Sequence, residues 1–344
     1  MGPAKMPYLP KYQITDRLLA LITEAEALKV QIAKAPAEVT WLEKVRLETM
    51  IRRAHFSTAI EGNPLALPEV EALAQGKPVA SSGKDKREVL NYLATLRWIA
   101  RVSPETAITE QKLLRLHRLL TTGLLQTSDA GHYKTRQNVI LSRGKVIYTP
   151  PGPKEARPLT QALLAWLEKG GKKVHPIVSS ACAHYELVRI HPFLDGNGRA
   201  ARSLAVWVLY HRGFDTQHLF AVDQFYKEDH QGYYEAIQKV RVQKGGLTSW
   251  LEYSALAVKT TLERTQKRLS ELALPPLPKR MILTRQQEKL LLELRERPGL
   301  TTKEIGQLLE IKRAQVYKIL KPLVQSSLIF SSTTRPTVYR LKKI

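Results

Sequence analysis

Apolar residues recur at helical spacing along most of the chain. Leu18, Leu19, Leu21, Ile22, Ala25, Leu28, Val30 and Ile32 mark one helix over 15–33. Leu42, Val45, Met50 and Ile51 mark a second over 40–61, stopped by Gly62-Asn63-Pro64. Further helices are predicted at about 67–75, 85–101, 109–123, 155–169, 175–189, 198–212, 228–242 and 247–270. One segment breaks the period. Asn138-Val139-Ile140-Leu141 and Val146-Ile147-Tyr148-Thr149 are β-prone runs around Ser142-Arg143-Gly144-Lys145, and Pro150-Pro151-Gly152 ends them. This pattern predicts a short β-hairpin.

The stretch Leu274-Pro275-Pro276-Leu277-Pro278-Lys279-Arg280 has three prolines in four positions and predicts an extended linker. Beyond it the pattern restarts. A helix is expected over Thr284–Arg297. A second is capped by Thr301 or Thr302, with Ile305, Leu308 and Leu309 inward. A third spans Lys312–Val324, with Val316, Ile319, Leu320 and Leu323 inward. Ile329-Phe330 and Thr337–Leu341 alternate like two strands. Three helices and a ribbon predict a winged helix-turn-helix. The expected fold class is mainly α. The expected divisions are 1–110 (N-terminal helical region), 111–270 (core), 271–280 (linker) and 281–344 (winged helix-turn-helix).

The 344 residues are 43% hydrophobic and 25% charged, the balance of a globular protein. No apolar run approaches the roughly 18 residues needed to cross a bilayer, and Met1–Pro7 lacks the apolar stretch of a signal peptide. A cytoplasmic protein without membrane contact is expected. The single cysteine, Cys182, can form no internal disulfide or Cys-based zinc site, and its apolar surroundings predict an inert core thiol. The net charge of +23 points to an anionic partner or to general basicity. Residues 281–344 carry a net +8, so the excess is denser there without being confined to it. DNA binding through Lys312, Arg313, Gln315, Lys318 and Lys321 competes with a docking role for this segment.

The densest chemistry lies at His191-Pro192-Phe193-Leu194-Asp195-Gly196-Asn197-Gly198-Arg199-Ala200-Ala201-Arg202. Gly196-Asn197-Gly198 sits where a loop becomes a helix. Glycines there permit positive φ and a close approach of ligand to backbone, and the first N–H groups of a helix have no internal partners. Together they form an anion nest suited to phosphates. Arg199 and Arg202 share a face in the first turn, where cations oppose the helix dipole unless an anion sits between them. Asp195 beside the nest suggests Mg²⁺ held jointly by protein and phosphate, and His191 can act as a general base. Gly196 to Ala201 also matches a dinucleotide fingerprint, but the preceding segment looks helical rather than a strand.

These twelve residues resemble the Fic family signature, His-Pro-Phe-x-[Asp/Glu]-Gly-Asn-Gly-Arg-x-x-Arg, with no departure at a fixed position. The resemblance extends over roughly residues 5 to 270. It implies a helical domain that transfers AMP from ATP to a Ser, Thr or Tyr hydroxyl of a protein. It casts His191 as base and Asp195 as Mg²⁺ ligand. Phe193 would pack inward and fix the loop. Gly196, Asn197 and Gly198 would form the hole for the α- and β-phosphates. Arg199 would contact phosphate, and Arg202 the γ-phosphate. Ser57-Thr58-Ala59-Ile60-Glu61-Gly62-Asn63 resembles the family's inhibitory motif, which implies that Glu61 pairs with Arg202.

The hairpin, preceded by Gly131–Arg136, resembles the family's flap. Val146, Ile147 and Tyr148 are its candidates for target and adenine contacts, with a target strand added along its edge. Tyr233 and Tyr234 resemble a post-catalytic helix that could line an adenine pocket. The chain has Arg241 where many relatives have Asn. Implied partners are ATP, a target protein and a second copy in a homodimer. The alternatives are removal of AMP, another nucleotide donor, a DNA-binding regulator whose Fic domain senses nucleotide, and a toxin partner.

Overall fold

A computed structural model describes residues 7–34, 39–142, 144–215, 217–242, 246–272, 283–297, 299–332 and 336–342. Helices α1 (Asp16–Lys34) and α2 (Val39–Ile60) open the chain. They are followed by α3 (Leu67–Ala74), α4 (Gly83–Arg101) and α5 (Glu110–Thr121). Ser82 caps α4 and Thr109 caps α5, each hydroxyl accepting a first-turn N–H. Strands β1 (Ile140–Ser142) and β2 (Lys145–Tyr148) pair antiparallel, Leu141 opposite Val146 and Ile140 opposite Tyr148. Gly144, at φ +76°, turns the hairpin.

Helices α6 (Pro153–Glu168), α7 (Pro176–Ile190), α8 (Asn197–His211), α9 (Val222–Glu228), α10 (His230–Val242) and α11 (Thr248–Leu272) complete the first of two units, which ends at Ser270. The core centres on the antiparallel pair α7–α8. Nearly every residue of α7 is buried, including Cys182, Leu187 and Ile190, as are Leu204, Trp207 and Val208 of α8. A helix buried on nearly every side is one enclosed by others. It fixes the His191–Gly196 loop at the heart of the unit rather than at its edge. The thiol of Cys182 is fully buried. Helix α9 has no counterpart in the sequence expectation, because seven residues hold too few turns for a period.

The second unit contains α12 (Arg285–Glu296), β3 (Leu300–Thr301), α13 (Thr302–Leu309), α14 (Arg313–Gln325), β4 (Ile329–Ser331) and β5 (Val338–Leu341). Thr284 and Thr301 form capping boxes with Gln287 and Glu304. The sheet order is β3-β5-β4, so a third, two-residue strand joins the expected pair. Val316, Ile319, Leu320 and Leu323 enter the core with Leu290, Leu291 and Ile305. Lys312, Arg313, Gln315, Lys318 and Lys321 are exposed on the other face of α14. The Pro-rich segment 274–280 lies outside the described residues. Among the described residues no helix is long and apolar enough to cross a membrane.

Candidate active site

His191 ends α7 in the left-handed conformation, φ 50° and ψ 58°, while its N–H still donates to the Leu187 carbonyl at 3.0 Å. An L-residue adopts this region only against a steric cost. Nδ1 lies 3.3 Å from the Val188 carbonyl, which can only accept, so Nδ1 carries the proton and the Nε2 lone pair is left free. Burial pushes the imidazole down to about 4 and is reinforced by Lys134 and Arg241, with the Val188 carbonyl and Glu61 opposing. His191 is therefore neutral near pH 7, the form that accepts a proton.

The loop after it is tied from three sides. Phe193 is fully buried and stacks on His117, ring centroids 3.8 Å apart and nearly parallel. Gly131 N–H donates to His117 Nδ1 (3.0 Å), which leaves Nε2–H to donate to the Asp195 carbonyl (2.9 Å). Burial lowers His117 to about 4, so this neutral tautomer persists. Asn197 closes a ring on Phe193, its Oδ1 accepting from Phe193 N–H (2.9 Å) and its Nδ2 donating to Phe193 O (2.8 Å). The buried Lys134 donates through its backbone to Pro192 O (2.9 Å) and through Nζ to Asn138 Oδ1 (2.9 Å), while Asn138 Nδ2 donates to Phe193 O (2.9 Å). The Asn197 side chain is thus committed to the loop, and only its main chain is left to face a ligand.

Gly196 caps α8 at φ +77°. A side chain there would be strained, and its Cβ would meet Thr121 Cγ2 at 3.0 Å. Its own N–H is occupied by Asp195 Oδ1 at 2.6 Å. The free donors are therefore the first-turn N–H groups of α8, from Asn197 onward. The Asp195 side chain is 69% exposed, with Oδ2 3.7 Å from Arg199 Nη2. Among the described residues no group of three metal-ligating side chains gathers. One exposed carboxylate beside a phosphate nest fits Mg²⁺, which is commonly held by one or two carboxylates together with substrate phosphates.

The two arginines of α8 meet different partners. Arg202 is 2% exposed. Its Nε donates to Ser57 Oγ (2.7 Å), and its Nη2 donates to Ser57 O (2.9 Å) and Glu61 Oε1 (2.7 Å). Asp223 of α9 lies 3.6 Å behind it and 3.6 Å from Arg53. Arg53, Ser57 and Glu61 are spaced by four, so one face of α2 and the turn after it make all these contacts. The carbonyls ending α2 are capped in turn, Ala59 by Lys227 Nζ (2.8 Å) and Ile60 by His230 Nε2 (3.3 Å). Arg199 is 4% exposed and donates through Nη1 to Glu88 Oε1 of α4 at 3.0 Å.

A cavity of about 670 Å³, within the range of small-molecule sites, is lined by about half of the expected residues, and Asp195, Gly196, Asn197 and Arg199 are not among them. Glu61, His191, Gly198 and Arg202 line it together with Ile147, Tyr233, Tyr234, Gln238 and Arg241. Tyr233 is buried with its hydroxyl 2.9 Å from His184 Nε2, whereas Tyr234 is half-exposed. Ile140 and Leu141 of β1 line the cavity, and of Val146, Ile147 and Tyr148 on β2 only Ile147 does. Val146 is exposed, and the Tyr148 hydroxyl donates to Arg189 O (2.9 Å) while its ring carries the Arg241 guanidinium 3.8 Å above it. Glu88, His117 and Asp223 were not anticipated, because no local motif marks the partners that packing brings to them from elsewhere in the chain.

Residues 107–209 match the model of the Fic/DOC family. The chain is 27% identical over 261 residues to the protein adenylyltransferase Fic of Nematostella vectensis, covering 74% of this chain and 57% of that one. It is 32% identical over 206 residues to that of Drosophila willistoni, covering 58% and 39% respectively. The chain thus spans between two fifths and three fifths of the length of these relatives. Its fold is similar to the crystal structure of a Fic family protein from Desulfovibrio desulfuricans G20, with a TM-score of 0.75 at 24% identity over 98% of this chain and 99% of that one.

Proposed function

Residues 107–209 are a domain of the Fic/DOC family, and from that premise we propose that the protein transfers AMP from ATP to hydroxyl groups of proteins, itself included. The observation that carries this is the sharing of one cavity by His191, the bare first turn of α8 and Arg202. The His191 Nε2 lone pair takes the proton of the attacking hydroxyl. The hydroxyl oxygen bonds to the α-phosphorus, and the bond from that phosphorus to the bridging oxygen breaks, releasing pyrophosphate. First-turn N–H groups of α8 offset the charge that develops on the α-phosphate, and Arg202 takes the γ-phosphate. Asp195 would hold Mg²⁺, which neutralises phosphate charge when bound. Tyr233, Tyr234 and Ile147 wall the part of the cavity left for adenine. Val146 and Tyr148 belong to the flap edge, on which a target strand can pair.

Glu61 is the brake in this proposal. Its contact with Arg202 occupies the cation that the γ-phosphate needs, and Ser57 holds the same guanidinium in place. The test uses α-labelled ATP with Mg²⁺. Wild type should label weakly, Glu61→Gly strongly, and His191→Ala in the Glu61→Gly background not at all. Labelling that survives loss of His191 overturns the chemistry. Equal labelling by wild type and Glu61→Gly overturns the brake.

A second activity concerns the tail. The exposed row Lys312, Arg313, Gln315, Lys318 and Lys321 on α14 favours a winged helix-turn-helix that binds DNA. A DNA mobility shift that weakens steeply with salt and is lost on deleting 281–344 supports it. A salt-insensitive shift, or none, removes it.

A further inference from the structure

The turn that carries Glu61 reaches both arginines of α8. Glu61 holds Arg202 directly. Two residues on, Asn63 Nδ2 donates to Glu88 Oε2 at 2.9 Å and to Asp85 O at 3.0 Å, while its Oδ1 accepts from Leu65 N–H at 3.2 Å. Glu88 Oε1 then accepts from Arg199 Nη1 at 3.0 Å, and Arg199 Nη2 lies 3.7 Å from Asp195 Oδ2. A continuous polar chain, Asn63–Glu88–Arg199–Asp195, joins the turn to the carboxylate beside the nest.

Arg199 has two carboxylates within reach, and they are not equivalent. Glu88 is 12% exposed and makes a hydrogen bond to a guanidinium that is itself 4% exposed. Asp195 is open to water and makes no hydrogen bond to it. A pair with one partner in solvent at this separation contributes little, whereas a desolvated, hydrogen-bonded pair loses heavily when one partner is removed. Glu88 therefore holds the arginine, and Asp195, whose Oδ1 accepts from Gly196 N–H, is left with Oδ2 free to take a ligand. Arg199 Nε is buried without a hydrogen-bond partner, and the side chain is enclosed.

We propose that Glu88 is a positioning residue for the metal. By holding Arg199 in the Asn63–Glu88–Arg199 chain, it keeps that cation from capturing the Asp195 carboxylate, which stays available to a divalent ion. This rests on Asp195 as the metal ligand. Without the Glu88 charge, the buried guanidinium has Asp195 as its nearest remaining carboxylate, and Mg²⁺ must compete with an internal cation. Outer partners of this kind tune metal affinity at sites where the ligand itself is unchanged.

The test follows Mn²⁺ binding by the loss of its free-ion EPR signal, on the full chain in the Glu61→Gly background with a non-hydrolysable ATP analogue. Glu88→Gln should raise half-saturating Mn²⁺ by about 10- to 100-fold. Glu88→Gln combined with Arg199→Gln should return it to near the parent value, because no cation is left to capture Asp195. A structural defect from losing Glu88 would not be repaired by a second substitution. An unchanged single variant, or a double variant as weak as the single, overturns the proposal. So does loss of metal-free analogue binding in the double variant, which would make Arg199 a phosphate ligand. Asn63→Ala, which keeps the Glu88 charge but loosens it, should give a smaller shift in the same direction, and it serves if Glu88→Gln does not fold. Asp195→Asn tests the premise separately: Mn²⁺ affinity that survives it removes the metal assignment and not the Glu88 chain.

Discussion

Glu61 takes the space that a β-carbon on Gly198 would need: built on the backbone, that carbon would lie 2.2 Å from Glu61 Oε1. Gly198 is helical, so the glycine is required here by proximity rather than by φ. In the proposed reaction the carboxylate and an incoming phosphate therefore seek the same bare surface. Glu61→Gly should raise self-labelling by about tenfold or more, a change of about 1.4 kcal/mol in barrier. Gly198→Ala should displace the carboxylate too, yet leave labelling at or below wild type, because the methyl group stands where phosphate must approach. Activation by Gly198→Ala would show that the two do not compete for one space.

The proposed brake is supported at its end. Lys227 and His230 satisfy the last carbonyls of α2, and a cation there also favours the helix dipole. Lys227→Met should loosen the turn that presents Glu61 and raise basal labelling by about two- to fivefold, from the 0.3–1 kcal/mol such contacts contribute. In the Glu61→Gly background the same substitution should change nothing. Titration of labelling rate against ATP for the four proteins checks this.

The acid limb of activity follows from His191. A base must be neutral, and burial holds this imidazole near 4 in the free protein. Glu61 raises its affinity for protons, so Glu61→Gly lowers it further. Because kcat/KM reports the free enzyme, kcat/KM of Glu61→Gly should stay level on acidification and fall only below about pH 5. A fall centred near 6.5 would mean that the imidazole is more hydrated than its surroundings indicate.

Phe193 bears on stability as well as on shape. Phe193→Ala empties a buried ring site against His117 and should cost about 3–5 kcal/mol. A lowered Tm, with labelling lost even in the Glu61→Gly background, is the expected outcome. A melting point within a few degrees of wild type would show that the loop is held by the Asn197 and Asn138 hydrogen bonds alone.

Much of the site was legible because its chemistry is local. The left-handed Gly196, the place of His191 just before the loop and the first turn of α8 follow from residues adjacent in the chain. The spacing of Ser57 and Glu61 placed both on one side of a helix. What escaped depends on packing. Nothing near Arg199 names Glu88, and nothing in Gly-Asn-Gly tells that the Asn197 side chain would close on Phe193. The flap alternation correctly gave two strands, but a hairpin has two faces, and the pattern does not say which one meets the cavity. Tyr148, a candidate for target and adenine contacts, donates its hydroxyl to Arg189 O. Helix α9 and strand β3 are too short to leave a periodic trace.

The enclosure of Cys182 has a practical side. Its thiol is fully buried, and burial raises it well above the ordinary thiol range, so alkylating reagents should spare it while α7 stays packed. No other cysteine exists in the chain. Its modification rate is then a clock for transient opening of the helix that ends in His191, and any cysteine introduced on the flap for a fluorophore would react alone.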